Sequence, residues 1–413
     1  TKTGEQAENT TQEPAPADDK IDLKGYEIKI SAWWDGTPQP GTATGDAAVA
    51  KHKEIEEKYN CKITYLNIPN AETIEKLTAT VLSGEPMADI IHLEANQAIP
   101  GLAAAGFLLP VDEYFDGFKD TRWPQNVKKI STYNGKTYGF MTEVYSTHGI
   151  WYNKTLFKRE SLPDLYELQQ KGEWTWKKYE EIALAATKDK DGDGKHDQFG
   201  VSVGYDPTDH FIWSNGGSIV KEDNGKYLFN LDTEEAKAAL DFIGNIWKSG
   251  VLSSEGEAGF ISGKVAMYGG ECWMGGNFKN NMQDEVGYVF YPKGPKATEY
   301  TSVVTNTVIA TMPATAKYPK EVAKVYNEIT LWDMLEDKKM EFIEGNVTNE
   351  QDIETVKKMI DICDLNTMYA FPGLGDVFWA IVDKVKLEGA SASTAVQEYK
   401  QQAQAAIDAV FAK

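Results

Sequence analysis

The sequence predicts an α/β fold with two domains. Its 413 residues are about two to three times a usual domain length, which makes two domains the expectation. From Tyr26 the pattern of strands and helices runs β-α-β-α-β, the order of a parallel sheet with right-handed crossovers. With 41% hydrophobic residues the chain can fill substantial cores. No apolar run approaches the roughly 18–20 residues that span a bilayer.

Taken in order, residues 1–21 open with TKTGEQAENTTQEPAPADDK, a composition too polar to offset its ordering entropy, and predict a disordered tether. The chain starts without Met or a signal peptide, as a processed exported protein does. YEIKISAWW alternates like a strand, with Tyr26, Ile28 and Ile30 on one face. Asp46 is placed to cap a helix whose stripe is Ala48, His52, Ile55 and Tyr59. CKITYLNI is the second strand, a helix with Ile74, Leu77, Thr78 and Val81 on one side follows, and ADIIHL (88–93) is a short buried strand. In such a sheet ligands lie at the carboxyl ends of the strands, here Trp33–Gly36 and Glu94–Gln97. Further stripes mark helices at Ala236, Leu240, Ile243 and Trp247 and at Val396, Tyr399, Ala403, Ala406 and Val410. FGVSVG, KVAMYGG and VGYVFYP read as strands.

The net charge of −21 excludes nucleic acid and an anionic membrane face as partners, since both require clustered Lys and Arg. Cys61, Cys272 and Cys363 are widely spaced and odd in number, a pattern of buried free thiols rather than of disulfides or zinc. The 11 Trp and 20 Tyr often stand beside Gly, Asn or Asp in loop-like segments. Flat apolar faces at a loop-lined cleft suit a ligand with an apolar face and a polar rim, such as a sugar ring. Separately, Asp189, Asp191, Asp193, Lys195 (through its carbonyl) and Asp197, with Gly194 at the sixth position, reproduce most of an EF-hand loop and predict a structural Ca2+. At the twelfth position Gly200 replaces the bidentate Glu.

An ordered series of segments carries a resemblance: GEPMADIIHLEANQAIPGLAAAGFLLPVDEYF, NGKTYGFMTEVYSTHGIWYNKTLF, WTWKKYEEIALAATKDKDGDGKHDQFG, SNGGSIVKEDNGKYLFN, FISGKVAMYGGECW and YPKGP. Together they resemble the extracellular solute-binding proteins of family 1, the maltose-binding-protein-like receptors, over nearly everything after the tether. The resemblance implies a two-lobed periplasmic-binding-protein-like fold of type II, each lobe a mostly parallel sheet flanked by helices. It implies a lobe from 22–144 plus 302–355, a second from 145–301 plus 356–413, and hinge closure on an oligosaccharide held between them. KVAMYGGECWMGG aligns with a segment ending in a sugar-stacking Trp, here Trp273, and FPGLGDVFWAIV with a second, here Trp379, both expected on loops facing the cleft. Trp34, Tyr145 and Trp213 are further stacking candidates. Asp35, Glu94, Asn96, Asp209 and Glu271 are candidates to bond sugar hydroxyls.

The resemblance further implies a monomeric receptor that delivers its sugar to the transmembrane subunits of an ABC importer. Its place is outside the cell, held at the membrane only by a lipid anchor upstream of residue 1. Two other readings are carried. The same fold binds peptides or polyamines, whose cations acidic loops can hold, and a glycoside hydrolase would need a carboxylate pair among Glu94, Glu143 and Glu271.

Overall fold

The structure is a computed structural model that describes residues 21–115, 122–141 and 146–412. The expected tether, apart from Ile21, lies outside the described residues. In chain order the strands are β1 (Tyr26–Ala32), β2 (Cys61–Asn67), β3 (Ile90–Glu94), β4 (Thr132–Tyr133), β5 (Lys136–Thr137), β6 (Gly139–Phe140) and β7 (His148–Asn153). They continue with β8 (Phe199–Val203), β9 (Val220–Asp223), β10 (Lys226–Phe229), β11 (Val265–Glu271), β12 (Val286–Val289), β13 (Ser302–Val304), β14 (Val308–Thr311) and β15 (Cys363–Leu365).

Two sheets organise the molecule, one per lobe, with orders β2-β1-β3-β14-β6 and β12-β7-β11-β8. β1 pairs in parallel with β2 and β3, and β11 with β8. β14 is antiparallel to both its neighbours, and so is β7. Each sheet is therefore mostly parallel in direction with one reversed strand. In both cases that strand is where the chain enters from outside the sheet's own β-α-β run: β7 after leaving β6 of the other lobe, β14 after β13. The crossover rule that forces parallel neighbours applies only within a β-α-β unit.

Alternation along the strands explains the layers. Ile28, Ile30 and Ile90 pack with Ile55 and Tyr59 of the helix Ala43–Tyr59 and with Val322 and Val325 of the helix Pro319–Ile329. Ile91 and Leu93 point to the other face, against Leu77 of the helix Asn70–Ser83. A strand buried on both sides reads as a continuous apolar run, which is why ADIIHL lacks alternation. One local expectation is corrected. Thr42, not Asp46, caps the first helix, its side chain accepting from the Gly45 N–H, while Asp46 sits in the first turn and accepts the Gly41 N–H at 3.0 Å. There its charge meets the positive end of the helix dipole.

The division between lobes also differs from expectation. Residues 335–355, expected in the first lobe, pack in the second: Ile343 and Val347 join Trp151, Tyr268 and Tyr288 in one apolar cluster with Val356 and Met359. The helices Leu335–Asn346 and Glu350–Asp361 thus cover one face of the second sheet. Asp352 of the second of these helices and Gln169 of the helix Leu165–Gln170 protect its edge. Asp352 accepts the Tyr288 N–H at 3.0 Å, and Gln169 accepts the Phe290 N–H at 2.9 Å, donors that an edge strand otherwise leaves unpaired.

Burial pushes the Asp352 carboxyl up to about 6. A carboxyl raised above its unfolded value of about 3.9 favours the fold fully below that value and loses the contribution as pH rises through the folded pKa. Carboxyl-carbon NMR should therefore give Asp352 a midpoint near 6, and wild-type stability should decline relative to Asp352→Asn as pH is raised through that midpoint. A midpoint in the ordinary carboxylate range would contradict this account of the edge.

Candidate functional site

Both sheets end at the junction of the lobes. Val308 at the start of β14 lies opposite Glu94 at the carboxyl end of β3, and His148 at the start of β7 lies opposite Glu271 at the carboxyl end of β11. The carboxyl ends of the parallel strands in each lobe, where α/β sheets hold ligands, are thereby brought to the segments that cross between lobes. β13 and β15 run side by side among those segments, Val303 opposite Asp364.

Asn96, buried just beyond β3, donates its amide to the carbonyls of Thr305 and Asn366, so one side chain ties two crossing segments to the first lobe. Asn366 in turn donates Nδ2 to Asp209 Oδ2 at 3.1 Å, in the second lobe. Asp209 is 3% exposed, and burial raises its carboxyl above the usual range. Asp209, a candidate to meet a ligand, is thus engaged at the hinge, as is the Asn96 amide nitrogen, while Asn96 Oδ1 is buried without a partner among the described residues. Helix formation from Thr208 turns the Asp209 side chain inward, a direction the isolated sequence does not reveal.

Next to it, Glu271 uses both carboxylate oxygens. Oε1 meets His148 Nε2 at 3.1 Å, and the other oxygen accepts the Trp273 indole N–H. The His148 ring stacks on His210 with centroids 4.3 Å apart, and His210 on Tyr291 at 4.8 Å. Burial holds His210 well below the ordinary imidazole value, so the stack does not oppose two charges. Trp273 lies in the turn Cys272–Met274 that ends β11, is 48% exposed, and has its ring orientation set by Glu271. An exposed indole locked at its N–H presents a fixed flat face, the requirement for stacking a sugar ring.

The remaining candidates divide. Trp34 follows β1 and is 41% exposed, edge-on to Trp33 and His92. Asp35 accepts the Thr37 N–H at 2.9 Å, and the hydrogen bonding from Thr37 holds its carboxyl below the usual range. Glu94 is half-buried at the end of β3. Trp213 closes the helix Thr208–Trp213 and lines a groove of about 850 Å3 along β15, reached also by Gln125, Ser218 and Thr367. Its indole N–H is buried without an acceptor among the described residues. Trp379 is corrected: it lies on the helix Leu374–Lys386, not on a loop, partly buried against the second-lobe core with its N–H 3.4 Å from Tyr369 Oη. Tyr145 and Glu143 lie outside the described residues. His148, His210 and Asn366 were missed. The one available signal was that His148, one of five histidines, opens a strand.

The acidic loop folds round a common point. Asp189, Asp191 and Asp197 each bring a carboxylate oxygen within 4.8 Å of the others, all exposed. Asp189 accepts the N–H groups of Gly192 and Gly194, whose positive φ of 78° and 86° favours glycine. At Gly200 an added Cβ would meet the Ala183 carbonyl at 2.1 Å, so no twelfth-position ligand fits there.

The sequence model of the family described as bacterial extracellular solute-binding protein matches residues 36–330. The diacetylchitobiose binding protein DasA of Streptomyces coelicolor is 23% identical over 77% of this chain and 72% of its own. An uncharacterized ABC transporter extracellular-binding protein of Pyrococcus horikoshii and lipoprotein LipO of Bacillus subtilis are 25% and 24% identical, and the match spans only 34% and 40% of their lengths. Among solved structures, the sugar-binding protein MalE of Xanthomonas citri superposes with a TM-score of 0.69 at 15% identity, covering 93% of this chain and 98% of that one. A cyclo/maltodextrin-binding protein with maltotetraose gives 0.68 at 18%, covering 94% and 97%. At these identities the likeness is one of fold, the two-lobed architecture of type II. No helix among the described residues is long and apolar enough to cross a membrane.

The hinge bonds generate a stability prediction. Asn366→Ala removes a donor from the buried Asp209 carboxylate, and hydrogen bonds to charged groups contribute about 1.5–3 kcal/mol. Urea unfolding should show a loss of about 2 kcal/mol by the same scale, and an unchanged unfolding free energy would mean that Asp209 does not depend on Asn366.

Proposed function

This chain belongs to the bacterial extracellular solute-binding protein family, and we propose that it captures an oligosaccharide between its lobes for delivery to a membrane ABC importer. The observation that carries the sugar is Trp273, exposed at the carboxyl end of β11 with its ring held by Glu271. A ligand touching both lobes favours the closed arrangement over the open one, so capture and closure are one equilibrium. DasA and the maltodextrin receptors, whose names state sugar ligands, support the same class. A peptide or polyamine binder would need free carboxylates in the cleft. Of the candidate carboxylates, Glu271 and Asp209 are occupied by His148, Trp273 and Asn366, which favours the neutral ligand in the second lobe's share of the cleft. The same occupancy of Glu271 argues against a hydrolase, whose carboxylate pair must be free to act on the glycosidic bond.

The receptor is read as extracellular, monomeric and tethered by a lipid anchor upstream of residue 1; the likeness to a lipoprotein supports the anchor. Calcium belongs to the same reading. Hard cations take six to eight oxygens, and the three converging carboxylates with Asp193 and the Lys195 carbonyl would provide the protein's share, with water completing the rest. This ion would brace the loop between the helix Trp176–Ala186 and β8 rather than touch sugar.

Thermal-shift screening against an oligosaccharide panel, then calorimetry on the best ligand, tests the sugar. Trp273→Ala should weaken binding by about 2–4 kcal/mol, roughly 30- to 1,000-fold, with the far-UV spectrum unchanged. Equal affinity would refute the stacking role. For the ion, melting temperature should rise with calcium over chelator while sugar affinity of the folded protein stays constant; identical melting curves would count against the site.

A further inference from the structure

A cavity of about 210 Å3 is lined by Trp34, just past β1, and by residues within β1, β2 and β3. Its walls are Ile30 of β1, Tyr65 of β2, His92 of β3, His52 of the helix Ala43–Tyr59 and Tyr326 of the helix Pro319–Ile329, with Trp34 at the rim. Among the described residues, no Asp, Glu, Lys or Arg lines it.

The polar atoms of these walls are turned toward one another. His52 Nδ1 lies 2.7 Å from the Ala48 carbonyl and Nε2 2.8 Å from Tyr65 Oη. His92 Nδ1 lies 3.0 Å from the Ser31 carbonyl and Nε2 3.5 Å from Tyr326 Oη. A carbonyl only accepts, so each Nδ1 carries the proton and each Nε2 receives a phenol O–H. Burial keeps both imidazoles below the ordinary histidine value, hence neutral. What the cavity offers a guest is ring faces and edges and the Thr330 hydroxyl, which donates to the Tyr326 carbonyl, with no charged partner among the described residues. It is smaller than the roughly 300–1,000 Å3 of whole-ligand pockets, so it takes part of a ligand. Trp34, 41% exposed at its mouth, gives the adjoining ring a surface to lie on.

We propose that this cavity is a terminal subsite for the methyl-bearing substituent of an uncharged sugar, an acetamido group or the methyl of a 6-deoxy sugar, with Trp34 against the ring that bears it. The proposal rests on the oligosaccharide reading and narrows it. An amino sugar with a free ammonium is refused, because an unpaired buried charge is costly, and a plain hydroxymethyl group gains little from apolar walls.

Calorimetry with four disaccharide probes decides it: diacetylchitobiose, its deacetylated diamine, cellobiose, and a disaccharide ending in fucose. Wild type should bind diacetylchitobiose or the fucosyl probe at least about tenfold tighter than cellobiose, and the diamine most weakly. Whichever methyl-bearing probe leads identifies the substituent. Ala32→Leu, which fills the cavity from β1, and Trp34→Ala, a rim change that leaves no core hole, should each bring that ratio close to one. A wild-type ratio near one while cellobiose binds overturns the subsite and leaves the sugar reading standing, as does a ratio that survives both substitutions in folded protein. Absence of binding by all four probes and by the wider oligosaccharide panel overturns both.

Discussion

A short chain of buried hydrogen bonds, Asn96 to Asn366 to Asp209, joins the two lobes, and the geometry of the cleft depends on it. Each member is almost fully buried. A polar group taken from water without a partner costs about 1–3 kcal/mol, more if charged, so none can leave its neighbour cheaply. Asn96 holds the crossing segments at Thr305 and Asn366, while Ala95 donates to the Thr307 carbonyl at 2.7 Å. The crossings are thereby pinned to the ends of the first sheet, leaving the lobes to rotate about a defined line.

From that line the second lobe carries its own relay. Asp209 lies in the first turn of the helix that bears His210, whose ring stacks on His148. His148 meets Glu271, and Glu271 orients Trp273. The exposed indole is therefore linked, group by group, to the buried hinge amides. This is a contiguous physical contact path, the kind of connection through which closure and ligand stacking can bias one another. Across the cleft, Trp34 stands on His92 of β3, two residues before Glu94 and four before Asn96. Both aromatic platforms are fixed to strand ends that the hinge holds in register.

Much of this was legible in the sequence because local patterns decide it. The β-α-β-α-β run from Tyr26 to Glu94 and the amphipathic helices follow from apolar periodicity, and the converging carboxylates of Asp189, Asp191 and Asp197 from spacing alone. What escaped depends on contacts distant in sequence. Residues 335–355 carry helical stripes that fit either lobe, and only packing against Trp151 and Tyr288 assigns them. Asp209 looked like a ligand contact because nothing local says its acceptor is taken 157 residues away, at Asn366. Trp379 was expected on a loop, yet Gly373, with a φ of 83°, caps the start of the helix that holds it partly buried.

The central claim is that oligosaccharide capture closes two lobes about the Asn96–Asn366 hinge. Small-angle X-ray scattering on the full chain, with and without a saturating sugar identified by binding, measures that motion directly. The account predicts a smaller radius of gyration and a shorter maximum dimension in the sugar-bound state. Binding that is saturated by calorimetry with scattering curves that superimpose would contradict it.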